Sequence, residues 1–197
     1  MKRRRLFFSL LALPLVLAMH GASAQSGAHT LQLARIFSDG MVVQRGARIP
    51  VWGWAAPGAA VTARFKGTVA HATADSSGRW TVTFPASAAG GPYRLTVDAG
   101  SEHASVGDVL VGDVWVASGQ SNMEFSLSVA NDAAAEIAAA HDSSIREFKV
   151  PNSWAERPAT EDVVGGSWAP ADPQHVGAFS AVAYFFAREL RRTQHVP

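Results

Sequence analysis

Ser121 stands in Ser118-Gly119-Gln120-Ser121-Asn122-Met123-Glu124, directly after the apolar run Val114-Trp115-Val116-Ala117. A serine on a tight turn at the end of a strand is placed to act as a nucleophile. The alternation around Val114 and Val116 reads as that strand, Gly119 lets the backbone reverse sharply, and the hydroxyl then clears the sheet edge. The serine's own backbone N–H could help hold an oxyanion. Gln120 and Asn122 are read as residues that order the turn or touch substrate. The structural alternative is a serine that only caps the helix or turn that follows.

An activated serine needs a base, and a base needs a partner that orients it. One Asp-x-x-His occurs, as Asp172-Pro173-Gln174-His175. With nine Asp and seven His in the chain a chance match is not rare. Only about 50 residues separate it from Ser121, too few for the intervening elements of a doubly wound sheet, so it reads as coincidence. The base, its carboxylate and the remaining oxyanion donors are expected beyond Pro197, and the chain reads as cut off. The remaining histidines show no ligand spacing. Without paired His on a helix face, an Asp-rich calcium loop or a phosphate-cradling glycine pattern, no metal and no nucleotide cofactor is expected.

The elements that must position Ser121 fall into two styles. From about 28 to 107 all signals are β: Val61, Ala63 and Phe65 alternate with polar residues, as do Trp80, Val82 and Phe84, and Tyr93, Leu95 and Val97. Turn residues separate the runs at Ala56-Pro57-Gly58, Asp75-Ser76-Ser77-Gly78 and Ala89-Gly90-Gly91-Pro92. Short antiparallel strands at this spacing predict a small sandwich. After Gly107 the pattern changes. Val109 to Ala117 predicts a strand covered on both faces, Asp132 to His141 a helix, and Ile145 to Val150 the next strand. An irregular stretch rich in Pro, Gly and Trp runs to about Val176. Then Phe179, Val182, Ala183, Phe186, Ala187 and Leu190 recur at helical spacing, with Arg188, Arg191 and Arg192 suiting the helix C-terminus. His195-Val196-Pro197 sits where a third strand should begin. About a third of a parallel α/β domain is thus expected here, with the apolar face of the Phe179 helix left open.

Composition bounds the partners. The chain has 197 residues, 48% hydrophobic and 17% charged, and no cysteine, which excludes disulfides and thiolate metal sites. Its net charge of +1 includes Lys2, Arg3, Arg4 and Arg5; without those four positives it is −3, which leaves no basic face for nucleic acid. These basic residues, the apolar run Leu6 to Met19 and Ala22-Ser23-Ala24 read as a secretory signal peptide over residues 1–24. That apolar run is short for a bilayer span, and no later segment is apolar enough, so no stable membrane insertion is expected after its removal. The Ala, Gly and Arg bias suggests a bacterial source, and export then means a periplasmic or secreted protein.

At this point the residues resemble the sialate O-acetylesterases of the SGNH hydrolase superfamily. The resemblance covers Phe37 to Gln44, Val51-Trp52-Gly53-Trp54-Ala55, Asp75 to Trp80, Gly91-Pro92-Tyr93, Phe179 to Ala187 and above all Gly112 to Glu124. Met123 stands where Gly-x-Ser-x-Gly has its second glycine, so the α/β-hydrolase elbow does not fit and the SGNH-type turn does. The resemblance implies an α+β composite: a β-sandwich-like N-terminal domain over 25–107, then the truncated start of an SGNH-type three-layer α/β domain over 108–197. It implies a carbohydrate esterase that removes O-acetyl groups from sugars, sialic acid or an acetylated polysaccharide, with Ser121 as nucleophile and the fragment inactive alone. The alternative is a non-catalytic remnant or glycan-binding β module. Trp52, Trp54, Trp154 and Trp168 are candidates for stacking on sugar rings, although core packing is the better explanation, while Trp80 and Trp115 are expected to be buried.

Overall fold

Strict alternation makes the first core. In a computed structural model that describes residues 30–152 and 162–197, β1 (Gln32–Leu33), β3 (Ile49–Trp54) and β6 (Arg79–Phe84) form a three-stranded antiparallel sheet. β2 (Val42–Gln44), β4 (Ala60–Phe65), β5 (Thr68–Thr73), β7 (Gly90–Ala99) and β8 (Glu102–Gly112) form a five-stranded sheet in the order β2-β8-β7-β4-β5. All its pairings are antiparallel except β2 with β8. The inward residues of both sheets, Val51, Trp80, Val82 and Phe84 from one and Val61, Phe65, Leu95, Val97 and Val109 from the other, share one core. Phe65 and Phe84 meet across it with ring centroids 5.7 Å apart. These are the three alternating runs expected from the sequence, and apolar burial on facing sheets is what fixes their register.

A second cluster follows. α1 (Ser121–Glu124), a 3₁₀ turn (Leu127–Val129), α2 (Ala133–Ala139), β9 (Asp142–Phe148), β10 (Trp168–Ala171), a second 3₁₀ turn (Val176–Ala178) and α3 (Ala181–Gln194) pack around Leu127, Ile145, Val176, Phe179 and Tyr184. Both expected helices are present. α3 begins where Ser180 Oγ accepts the Ala183 N–H at 3.3 Å and carries Arg191 and Arg192 in its last turn, beside its unpaired carbonyls.

Two expectations are corrected. The strand predicted over Val109 to Ala117 stops at Gly112, because an extended segment becomes a strand only when another takes its backbone groups. Beyond Gly112, the Asp113 N–H donates to Pro197 O at 2.8 Å and the Val114 N–H to Gln44 Oε1 at 2.9 Å, and no ladder follows among the described residues. Trp115, expected to be buried, is therefore 60% exposed and Val116 91%. The strand predicted at Ile145 to Val150 is β9, but it pairs antiparallel with β10, inside the stretch read as irregular. Pro170 hid β10; a proline is tolerated at a short edge, and the register shifts between Pro170 and Ala171.

The two clusters are joined by Arg146 of β9. Its guanidinium donates to Gly40 O at 2.7 Å and Asp108 O at 2.6 Å and pairs with the Asp108 carboxylate at 3.0 Å, while Nε holds Ser143 O at 2.9 Å. Trp168 of β10 adds an indole N–H bond to Ile36 O at 2.7 Å.

Candidate active site

Ser121 is the first residue of α1 and is exposed. The Met123 and Glu124 N–H groups donate to Gln120 O at 2.9 and 3.1 Å, which closes the turn. The N–H groups of Ser121 and Asn122 precede that first bond and have no acceptor among the described residues, as at the start of any helical turn. Two free N–H groups beside a serine hydroxyl can receive the negative oxygen of a tetrahedral acyl intermediate. The Gln120 side chain makes no cap bond, and the Gln120 and Asn122 side chains are exposed.

Gly119 acts differently from the sequence expectation. It does not have a positive φ; instead a Cβ there would stand 3.2 Å from Met123 Cβ. A larger residue there would press on Met123 by a few tenths of an ångström, and no left-handed backbone calls for glycine.

The turn is held from one side. Ala181 N–H donates to Phe125 O and Leu127 N–H to Phe179 O, both at 2.9 Å, so the chain leaving α1 is tied to the start of α3. Met123 Sδ lies 3.5 Å from Ser180 Oγ. Trp115 packs edge-on against Phe186 of α3, centroids 5.2 Å apart. Further back, Arg45 grips Asp113 with two bonds of 2.8 and 2.9 Å and reaches Gln194 Oε1 at 3.1 Å. That hydrogen-bonded pairing holds the Asp113 carboxyl below its ordinary range.

Asp172 and His175, set aside as a chance motif, do meet. His175 Nδ1 lies 2.7 Å from Asp172 Oδ1, which also accepts the Gln174 and His175 N–H groups at 2.9 and 3.0 Å. Burial pushes the Asp172 carboxyl up, but these hydrogen bonds outweigh it and leave it below the usual range. No hydrogen bond joins the pair to Ser121 among the described residues. Nearer the chain turn, Glu124 Oε1 accepts from Asn152 Nδ2 at 2.6 Å. Glu147, half-buried, accepts the Ser180 N–H at 3.1 Å, and burial raises its carboxyl above the ordinary value against the pull of that bond and of Lys149. Sequence reading missed Glu124, Glu147 and Asn152, which no spacing links. Among the described residues no group of three His, Asp or Glu is arranged to hold a metal ion.

Of the tryptophans considered for sugar stacking, Trp52 packs edge-on against Phe37 at 4.6 Å and Trp54 against the first core, Trp168 is tilted against Phe148 at 5.6 Å, and Trp154 lies outside the described residues. Trp80, 1% exposed, is buried as expected.

No family model matches the chain. It is 30% identical to a sialate O-acetylesterase from Pongo abelii over 209 residues, an alignment covering 95% of this chain and 39% of that protein. The Mus musculus sialate O-acetylesterase is 29% identical over 201 residues, covering 93% of this chain and 37% of the relative. A crystal structure of a carbohydrate acetylesterase from Xanthomonas citri superposes with a TM-score of 0.82 at 48% identity, covering 84% of this chain and 38% of the other. The chain thus spans about two fifths of the length of the curated relatives it matches. Over the part that it spans, this α+β chain is homologous to the sialate O-acetylesterases.

Proposed function

We propose that this chain carries the nucleophile-bearing part of an exported carbohydrate O-acetylesterase. The observation that supports it best is the closed Gln120–Glu124 turn, with an exposed Ser121 hydroxyl beside two free backbone N–H groups, in a chain homologous to acetyl-removing enzymes. In this reading Ser121 Oγ attacks the acetyl carbonyl of an O-acetylated sugar and the Ser121 and Asn122 N–H groups receive the oxyanion. A histidine supplied by the rest of the polypeptide takes the proton and returns it to the departing sugar oxygen. Water then releases acetate from the acetyl-serine. Gln120 and Asn122 side chains, both at the surface of the turn, order it or touch the sugar.

The same reading divides the chain into a signal peptide over 1–24, a β-rich domain over 25–107 and the start of an SGNH-type hydrolase domain over 108–197, in a periplasmic or secreted protein. No helix of the described residues is long and apolar enough to cross a membrane.

The test is hydrolysis of an acetylated sugar with and without Ser121→Ala. In a polypeptide that supplies the base, the substitution lowers kcat/KM by about four to six orders of magnitude. In the 197-residue chain alone, hydrolysis stays near background and the substitution changes little, because a serine without its base is a poor nucleophile. In the complete polypeptide, turnover that survives Ser121→Ala overturns Ser121 as the nucleophile, whereas glycan binding with no turnover even when Ser121 is intact favours a glycan-binding module.

A further inference from the structure

A cleft of about 470 Å³ opens beside α1, between its last residue, the β9–β10 pair and the turn into α3. Its wall includes Glu124, Glu147, Asn152, His175 and Phe179. Ser121 and Glu124 are three apart on one helical turn, so their side chains share a face with Cβ atoms about 5–6 Å apart. Glu124, on the same turn as the serine, places the cleft next to α1.

The polar groups of this wall are oriented and half used. His175 has its Nδ1 engaged by Asp172, itself fixed by two backbone N–H bonds, which leaves Nε2 as an acceptor in a fixed ring plane. Glu124 uses Oε1 on Asn152 and Glu147 uses Oε2 on the Ser180 N–H, which leaves one oxygen of each carboxylate with no partner among the described residues. Phe179 and Val150 add apolar surface between them. Several fixed acceptors around an apolar patch complement a molecule with many hydroxyl donors and a C–H face, which is a sugar ring. Lys149 also lines the cleft, its Nζ held by Ala178 O at 3.1 Å, and among the described residues no group of three His, Asp or Glu is arranged to hold a metal ion.

We propose that this cleft is the subsite for the sugar ring of the O-acetylated substrate. Glu124, Glu147 and His175 accept its hydroxyls, Phe179 meets its C–H face, and Asp172 is a positioning residue that holds the His175 ring. The proposal rests on the esterase reading for its ligand, and its test is separable from it.

Methyl 6-O-acetyl-glucopyranoside is titrated into the 197-residue chain carrying Ser121→Ala, and binding is followed by amide chemical shifts in an isotope-labelled sample. Glu124→Gln and His175→Asn are added singly; the second keeps a group able to meet Asp172 and removes Nε2. Each is expected to raise Kd about tenfold or more, as loss of a hydrogen bond to an oriented or charged acceptor does, with an unchanged melting temperature. O-acetylated N-acetylneuraminic acid, run in parallel, carries a carboxylate that Glu124 and Glu147 oppose and is expected to bind more weakly than the neutral sugar. The proposal is overturned if neither sugar binds, or if both variants bind as tightly as their Ser121→Ala parent. A variant that melts early is replaced by Glu147→Gln, which keeps an acceptor for the Ser180 N–H and removes the charge on the same wall; equal affinity there counts against the cleft. Because the titration lacks Ser121, hydrolysis that proves indifferent to Ser121 defeats the esterase reading without touching this result.

Discussion

Arg146→Met should loosen the whole molecule although the residue is far from the serine in sequence. The Arg146 side chain is 6% exposed, and it donates to both Gly40 O and Asp108 O across the seam between the two clusters. Methionine fills much of the same space but donates nothing. Hydrogen bonds from a charged donor contribute about 1.5–3 kcal/mol each, and both carbonyls lie at a partly open seam where water can replace some of the loss, so the two together come to about 3 kcal/mol. The Asp108 carboxylate adds little, because it is 58% exposed and solvent screens it. For a chain of this size about 3 kcal/mol lowers Tm by about 6–12 °C. Asp108→Asn is the control: asparagine tolerates the left-handed backbone there, φ 52°, and keeps the carbonyl, so it should cost less than about 1 kcal/mol. Thermal unfolding followed by circular dichroism at low and high salt decides the matter. A fall in Tm of under 2 °C for Arg146→Met, or a loss that salt abolishes, would show that the pair is a screened surface contact and that the carbonyls do not need the guanidinium.

The remaining predictions concern charge and space. Glu147→Gln should raise Tm at neutral pH: burial raises the folded carboxyl pKa, so the ionised form is penalised above the unfolded value of about 4.3, and the advantage should vanish as pH falls below it. Asp113→Asn should act with the opposite sign. Arg45 lowers the folded Asp113 pKa, so its stabilisation is complete above an unfolded value of about 3.9 and is lost as pH falls through the lower folded value; parent and variant Tm should differ at pH 6 and converge in acid. Gly53→Ala should destabilise by about 1–3 kcal/mol or more in urea unfolding, since its Cβ would stand 2.0 Å from Gln32 O and 2.8 Å from Trp80 Cζ2; no change in the urea midpoint would refute that close approach.

Where a residue's role is set by near neighbours in sequence, it was legible. Val61, Trp80 and Leu95 announce strands because period-two burial is a local pattern. The Asp75 turn reads off its residues, and the Asp75 carboxylate accepts the Ser77 and Arg79 N–H groups at 2.8 and 3.0 Å. α3 follows from its apolar spacing, and the Ser121 turn from its composition. Trp115 was misjudged because apolar residues state only that a segment suits burial, and which chain covers it is a long-range fact. β10 was missed for the converse reason: Trp168-Ala169-Pro170-Ala171 has no strand pattern of its own and is extended because β9 pairs with it. The Asp172–His175 pair shows that a motif's chance frequency says nothing about its geometry. The cleft itself draws on α1, β9, the turn before α3 and the chain around Asn152, and no window of sequence contains it.

The placement of Ser121 follows from a conflict in the segment before it. Asp113 to Gly119 leaves the first core as extended, apolar chain, yet its side chains at Val114, Trp115 and Val116 remain open and its backbone is bonded only at its start. A catalytic group on such a segment would wander unless something else fixed it, and here the fixing comes from the far end. Phe125 and Leu127 are tied to Ala181 and Phe179, Met123 meets Ser180, and Trp115 leans on Phe186, so α3 and its start hold the chain both before and after the serine turn. Pro197 then returns from the end of α3 to accept the Asp113 N–H, at the point where Arg45 also binds Asp113 and Gln194. Trp115 of this segment meets Phe186 of α3 edge-on, and both are exposed, as is Val182 on the same helix. In the proposed enzyme the strands that carry the base would complete the sheet along this segment, so the same pairing that buries Trp115 would bring the histidine to Ser121. On that proposal, folding of the sheet and assembly of the catalytic set would be a single event.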